Sequence, residues 1–172
     1  MRATRSGKSL VTSPAAEAPP TASMEIPFED QLLAFEARLA KQGLASALEL
    51  LNDRTKFRYT ALHRLRGGNL LPVCVFDRFN ENRAYLQSAQ FLAALGAITL
   101  EAGDFVTSDC SQDVRLKPLG GLIISYCGVV LAPVDGPACG VLCHFDVDRC
   151  EVRPCELSFL RAVAPLLVHY VD

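Results

Sequence analysis

Cys139, Cys143, His144, Cys150 and Cys155 fall close together in this 172-residue chain, with Tyr126 and Cys127 shortly upstream. Thiols, an imidazole and a phenol could bind a metal, attack a substrate or undergo redox change. The metal reading is weak. The spacing contains no Cys-x2-Cys knuckle, and adjacent residues on a strand, Cys143 and His144, point to opposite faces, so no metal is expected. A nucleophilic site would combine Cys127, His144 and Asp146, with the last two on one strand face. A buried histidine satisfied by its neighbours is the plainer role for His144. A redox site would use Cys127 and Cys143 facing each other, or Cys110 in a polar loop. These three are the redox candidates, although a reactive thiol needs a lowered pKa and some exposure. Most of the seven cysteines are expected to be small buried hydrophobes.

The elements that would position these groups form a β-hairpin. Residues 122–131 and 138–145 read as two apolar strands around Asp135-Gly136, a hairpin turn dipeptide. Pro133 and Pro137 flank the turn and weaken pairing there. Both strands are too apolar for a sheet with one wet face, so they are expected at its buried centre. Register decides the chemistry. If Asp135 and Gly136 are the two central turn residues, Cys127 sits opposite His144; a loop one residue longer or shorter places Cys127 opposite Cys143.

The rest of the chain supplies the cover. Residues 1–26 are basic, rich in small residues and proline, and without apolar periodicity, so a disordered tail is expected. Gly7-Lys8-Ser9 imitates the end of a phosphate-binding loop, but Arg2 stands where the first glycine is required. Phe28, Leu32, Phe35 and Leu39 share a helical stripe over residues 28–41, Gly43 breaks it, and a second helix follows over 44–53. Residues 57–66 and 70–76 read as strands joined at Gly67-Gly68-Asn69. A helix over 84–102 stops at Gly103, and a short strand covers 104–107. Residues 108–119 form a polar loop holding Asp109, Cys110, Asp113 and Arg115. Pro154 opens the last helix, whose interior Pro165 should kink it. Two hairpins among five strands predict an antiparallel sheet flanked by helices, an α+β domain over 27–172.

Composition narrows the setting. Half the residues are hydrophobic and the net charge is −2, which gives no reason to expect nucleic acid or an anionic membrane as partner. No apolar run has membrane-spanning length. An odd cysteine count without a signal-peptide pattern predicts free thiols and a cytoplasmic setting.

Several phrases now carry a resemblance. Phe57-Arg58-Tyr59-Thr60-Ala61-Leu62, the run from Gly103 to Asp109, the hairpin SYCGVVL…DG…GVLCHFD and the stretch 156–167 resemble a bacterial group of GAF domains, the small-molecule sensor modules related to PAS. Val130 stands where that group usually has proline. The resemblance implies a GAF/PAS-like central antiparallel sheet of about five strands. It places a ligand pocket between the sheet and residues 80–119, with Phe105, Asp109, Asp113, Arg115, Tyr126 and Cys127 as candidate ligand-binding residues. Asp109, Asp113 and Arg115 equally suit a solvated, capped turn, and Tyr126 equally suits a core position with a tethered hydroxyl. The resemblance also implies an unidentified small-molecule ligand, a homodimer through the first and last helices and a signalling partner protein, with no fixed cofactor. Cys143-His144 imitates a bilin-attachment pair, but on the last strand rather than in the pocket region. Three functions follow: a stand-alone sensor, a thiol-redox protein akin to the free methionine sulfoxide reductases of this fold, and an interaction domain whose pocket is filled.

Overall fold

The computed structural model describes residues 26–80, 89–119 and 121–171. The expected tail lies almost wholly outside them, as do positions 84–88 of the expected third helix.

Helix α1 spans Phe28–Asp53 and is interrupted at Gly43, whose φ of 81° and ψ of −178° leave the helical region. It is therefore the expected pair of helices joined end to end. Strand β1 (Tyr59–Arg66) turns directly into β2 (Asn69–Asp77). Gly67 and Gly68 have φ of 57° and 79°, a turn hand that matches the twist of the flanking strands and that glycine takes without steric cost. The pairing slips between Leu62 and His63, where Pro72 of β2 lies opposite His63. A proline cannot donate to a ladder, which is why it is tolerated on an edge strand at an irregularity.

Helix α2 (Ala89–Ala102) leads into β3 (Asp104–Thr107). Two short 3-10 turns, Cys110–Gln112 and Lys117–Leu119, occupy the polar loop. Strands β4 (Ser125–Leu131) and β5 (Gly140–Asp146) follow, and α3 (Pro154–Leu167) closes the domain. Helix α3 continues two residues beyond the interior Pro165 before a 3-10 turn at Val168–Tyr170.

The sheet order is β2-β1-β5-β4-β3, with every pairing antiparallel. Five strands with helices on both faces make the α+β architecture expected from the sequence. On one face, Phe35, Leu48 and Leu51 of α1 and Phe159, Leu160 and Val163 of α3 pack on Leu62, Cys127, Val129 and Leu142. On the other, Phe91, Leu95 and Ile98 of α2, with Leu116 and Ile123 of the loop, cover Tyr59, Ala61, Tyr126, Cys143 and Phe145.

The central hairpin departs from expectation at its tip. Gly136 N–H donates to the Pro133 carbonyl at 3.2 Å, so Val134 and Asp135 are the central turn residues. Glycine then sits at the last turn position, and its φ is not positive. The ladder nevertheless keeps the register that a centre at Asp135-Gly136 predicts: Cys127 pairs with His144 and Gly128 with Cys143.

Strand β1 also carries a buried imidazole. His63 is 6% exposed, and its Nδ1 lies 4.0 Å from Cys143 Sγ. Burial pulls its pKa down from 6.5 to about 4. The unfolded chain therefore takes up this proton near the ordinary value, while the folded chain resists until about 4. The stability difference is fully retained above pH 6.5 and lost progressively down to about 4. We expect urea titrations to show a loss of roughly 3 kcal/mol or less from this group across that window, and His63→Gln to flatten the slope.

Candidate functional site

The sheet carries two differently built surfaces. Beneath α2 the surface is almost wholly apolar. Tyr126 is 1% exposed, and Tyr59 and Phe145 have no exposure. Tyr59 and Phe145 stack at 4.7 Å between centroids, with planes 11° apart. The Tyr126 ring leans along its strand over Gly128, where a Cβ would collide with the phenol oxygen. Its hydroxyl meets Thr99 Oγ1 of α2 at 3.0 Å, and Thr99 in turn donates to the Leu95 carbonyl at 2.8 Å. Burial raises the Tyr126 pKa well above its ordinary value, so the phenol stays protonated as a tethered core hydroxyl.

At the edge of this surface, Arg115 stands over the Phe105 ring at 5.3 Å and clasps Asp113 with several hydrogen bonds. These bonds hold the Asp113 carboxyl down at about 2. Asp109 caps the first 3-10 turn through Ser111 N–H at 3.1 Å and meets Arg149 across the loop. The hydrogen bonds from Ser111 keep its carboxyl below the usual range. All three charges are thus engaged locally, which is the capped-turn arrangement.

The opposite surface, beneath α1 and α3, holds a polar chain that the sequence shows only as scattered residues. His144 has no exposure and stacks on Phe57 at 5.7 Å. Its Nδ1 lies 2.7 Å from Thr60 Oγ1, which accepts from Asn52 Nδ2 at 2.9 Å. Arg78 donates to Asn52 Oδ1 from Nε at 2.9 Å. On its other side, His144 Nε2 faces Glu156 Oε1 at 3.8 Å. Glu156 is 2% exposed and takes Arg54 Nε at 3.2 Å. Burial pushes its carboxyl up, but His144 and Arg54 more than offset this and hold it below the usual range.

No protein-family model matches the chain, and neither does any curated protein. Solved structures do match. The GAF domain of an Acinetobacter phosphoenolpyruvate-protein phosphotransferase superposes with a TM-score of 0.66 at 14% identity, covering 86% of this chain and 94% of that one. A free methionine-R-sulfoxide reductase from Neisseria meningitidis, solved with its substrate, gives 0.61 at 15% identity, with 84% and 87% covered. A far-red-absorbing dark state with bound biliverdin gives 0.63 at 12% identity, covering 82% and 97%.

This chain has the GAF fold.

Within that GAF fold, the candidate residues separate. Phe105 and Tyr126 share the α2 face, 6.0 Å apart between ring centroids, with Arg115 and Asp113 at the rim. Cys127 does not join them, because it pairs with His144 and packs beneath α1 and α3. Strand alternation likewise puts Cys143, opposite Gly128, on the face that Cys127 leaves, so these thiols cannot meet. Among the described residues, no hydrogen bond joins Cys127 to His144. Asp146 is also turned elsewhere: it accepts from the backbone N–H groups of Arg58 and Asp148, so the paper triad is not assembled. No group of three or more metal-binding side chains occurs among the described residues. What sequence reading missed is the joint role of Asn52, Thr60, Arg78 and Glu156. The one available signal was an imidazole inside an otherwise apolar strand.

Burial raises the thiols of Cys110, Cys127 and Cys143 to about 12 in each case, so they remain protonated at neutral pH. Cys155 is exposed, and Cys74 and Cys139 are partly so. Titration of the native protein with a colorimetric disulfide reagent should modify Cys155 first and Cys74 and Cys139 more slowly. Cys110, Cys127, Cys143 and Cys150 should react only after denaturant is added. Prompt native modification of Cys110, Cys127 or Cys143 would restore the redox reading.

Proposed function

We propose that this GAF-fold chain is a sensory or regulatory domain that transmits state by contact with a partner chain or a second copy, and not a catalyst. The carrying observation is the packed α2 face: the Tyr126 hydroxyl is tied to Thr99, and Tyr126, Tyr59 and Phe145 have 1% exposure or none. That packing supports an interaction domain whose ligand side is occupied by its own side chains. The bilin chemistry of one structural neighbour is not supported, since Cys143 is buried on a central strand.

The reductase reading is the informative contrast. It requires thiols that ionise and reach substrate, whereas Cys110, Cys127 and Cys143 are all buried with raised pKa values. Helix α1 exposes Phe28 at 44% and Leu33 at 61%. Apolar side chains on a helix that also packs against α3 suit a contact surface for a partner or for a second copy.

Native mass spectrometry of freshly purified protein, against the denatured and reduced mass, tests this reading. The filled-face account predicts the bare polypeptide mass in both spectra. A discrete extra mass confined to the native spectrum, abolished by Gly128→Ala, would instead favour a ligand-filled sensor on the α2 face.

A further inference from the structure

Helix α1 carries apolar side chains on two opposite sides. Leu32, Phe35 and Leu39 pack into the core beneath it. At about 100° of turn per residue, Leu33, Ala37 and Ala40 lie on the side turned away from them. Leu33 is 61% exposed, and Ala34, Ala37 and Ala40 are exposed as well. Ile26, just ahead of the helix, is exposed too. A helix side that faces only water is ordinarily polar, so packing within the domain does not account for this outer strip. A groove of about 690 Å3 opens along one edge of it, lined in part by Ile26, Phe28, Ala34, Leu50 and Phe159.

The charges that border the strip differ in sign between its two margins. Glu29 and Glu36 lie on one margin and Lys41 on the other. All three are exposed, and none has a hydrogen bond or ion pair from its side chain among the described residues. Residues five apart on one helix stand about 140° apart around it, so Glu36 and Lys41 do not meet within α1. Between two parallel helices in register, five residues is the offset at which one margin meets the opposite margin of the partner. Arg38 is already engaged, donating to Gln42 Oε1 at 3.2 Å and to Ser46 Oγ at 3.0 Å. Asp30 shares the Lys41 margin but lines the groove, about 9 Å along the axis from the level of Glu36.

We propose that the outer strip of α1 pairs with the same strip of a second copy, the two helices parallel and in register about a two-fold axis. The proposal rests on the reading of this chain as a domain that acts by contact, and it names that contact. Leu33, Ala37 and Ala40 meet their own copies, and the alanines let the two backbones come close. Glu36 of each copy meets Lys41 of the other, and the symmetry makes that pair twice. A second copy is the occupant because the strip is its own complement in this orientation. The reversed orientation sets like margin against like, with Glu36 against Glu36. The helical break at Gly43 limits the paired segment to the first part of α1. One such strip falls short of the roughly 1,200 Å2 or more that a stable interface buries, so the pairing is reversible, with the groove walls adding apolar area at its edge.

Analytical ultracentrifugation of the full chain, from micromolar to millimolar concentration, tests the proposal. The chain should show a monomer–dimer equilibrium. Glu36→Lys and Lys41→Glu should each weaken it about tenfold or more, because each sets like charges together twice. The double exchange, Glu36→Lys with Lys41→Glu, should restore the dimer to within about threefold of the original affinity. Leu33→Asp should weaken it without rescue by either exchange. These side chains are exposed, so the variants keep the fold. A chain that stays monomeric throughout would overturn the proposal. So would a dimer indifferent to the single exchanges, or a double exchange that dimerises no better than the singles. A monomer with only the bare polypeptide mass would remove the pairing and leave the contact-domain reading standing with another protein as partner. An extra native mass abolished by Gly128→Ala would instead remove that reading, whatever the oligomeric state.

Discussion

A buried imidazole constrains this structure more than any apolar contact. His144 lies on a central strand with no exposure, and each of its nitrogens faces one particular partner: Thr60 on β1 and Glu156 on α3. Through Thr60 it also reaches Asn52 on α1. Hydrophobic burial is non-directional and would accept many arrangements of α1 and α3 on the sheet. A polar atom buried without its partner costs about 1–3 kcal/mol, and the hydrogen bonds from Asn52 of α1 to Thr60 and between Thr60 and His144 Nδ1 let that penalty discriminate among placements of α1. The register follows from the same constraint. Thr60 pairs directly with His144, and a slip of one residue would turn one of them to the opposite face.

The two faces have divided their work accordingly. Beneath α2, the stacked rings of Tyr59 and Phe145 and the Thr99–Tyr126 contact tie side chains of the sheet and helix together. Beneath α1 and α3, the polar chain from Arg78 through Asn52, Thr60 and His144 to Glu156 continues into a charged cleft. Arg54 links these features, contacting Glu156 while its guanidinium lies 3.6 Å over the Phe159 ring. The joint between the first and last helices is therefore electrostatic as well as apolar. Arg54 and Glu156 thus bring opposite charges together where the first and last helices meet.

Much of the fold was legible because period and punctuation agreed. The stripe through Phe28, Leu32, Phe35 and Leu39, the break at Gly43 and the Gly67-Gly68 turn each act locally, and the structure keeps them. The central hairpin was legible in register but not in turn type. Pro133 supplies the carbonyl that closes the turn, which moves Gly136 out of the centre without altering which residues pair. The site was less legible. Cys127 looked like a neighbour of Tyr126, but adjacent strand residues face opposite ways, and only the sheet's two covers reveal which way serves which surface. Glu156 read as a favourable charge at a helix start; its burial against His144 depends on a partner distant in sequence.

The most direct test of this account is a double-mutant cycle between Thr60→Val and Glu156→Gln, measured by urea unfolding. No described hydrogen bond or ion pair joins these residues directly, but each faces one nitrogen of His144. If the imidazole couples them as one unit, the double variant should depart from the sum of the singles by about 0.5–1 kcal/mol or more. Additivity within about 0.3 kcal/mol would contradict the account and reduce His144 to an ordinary core residue.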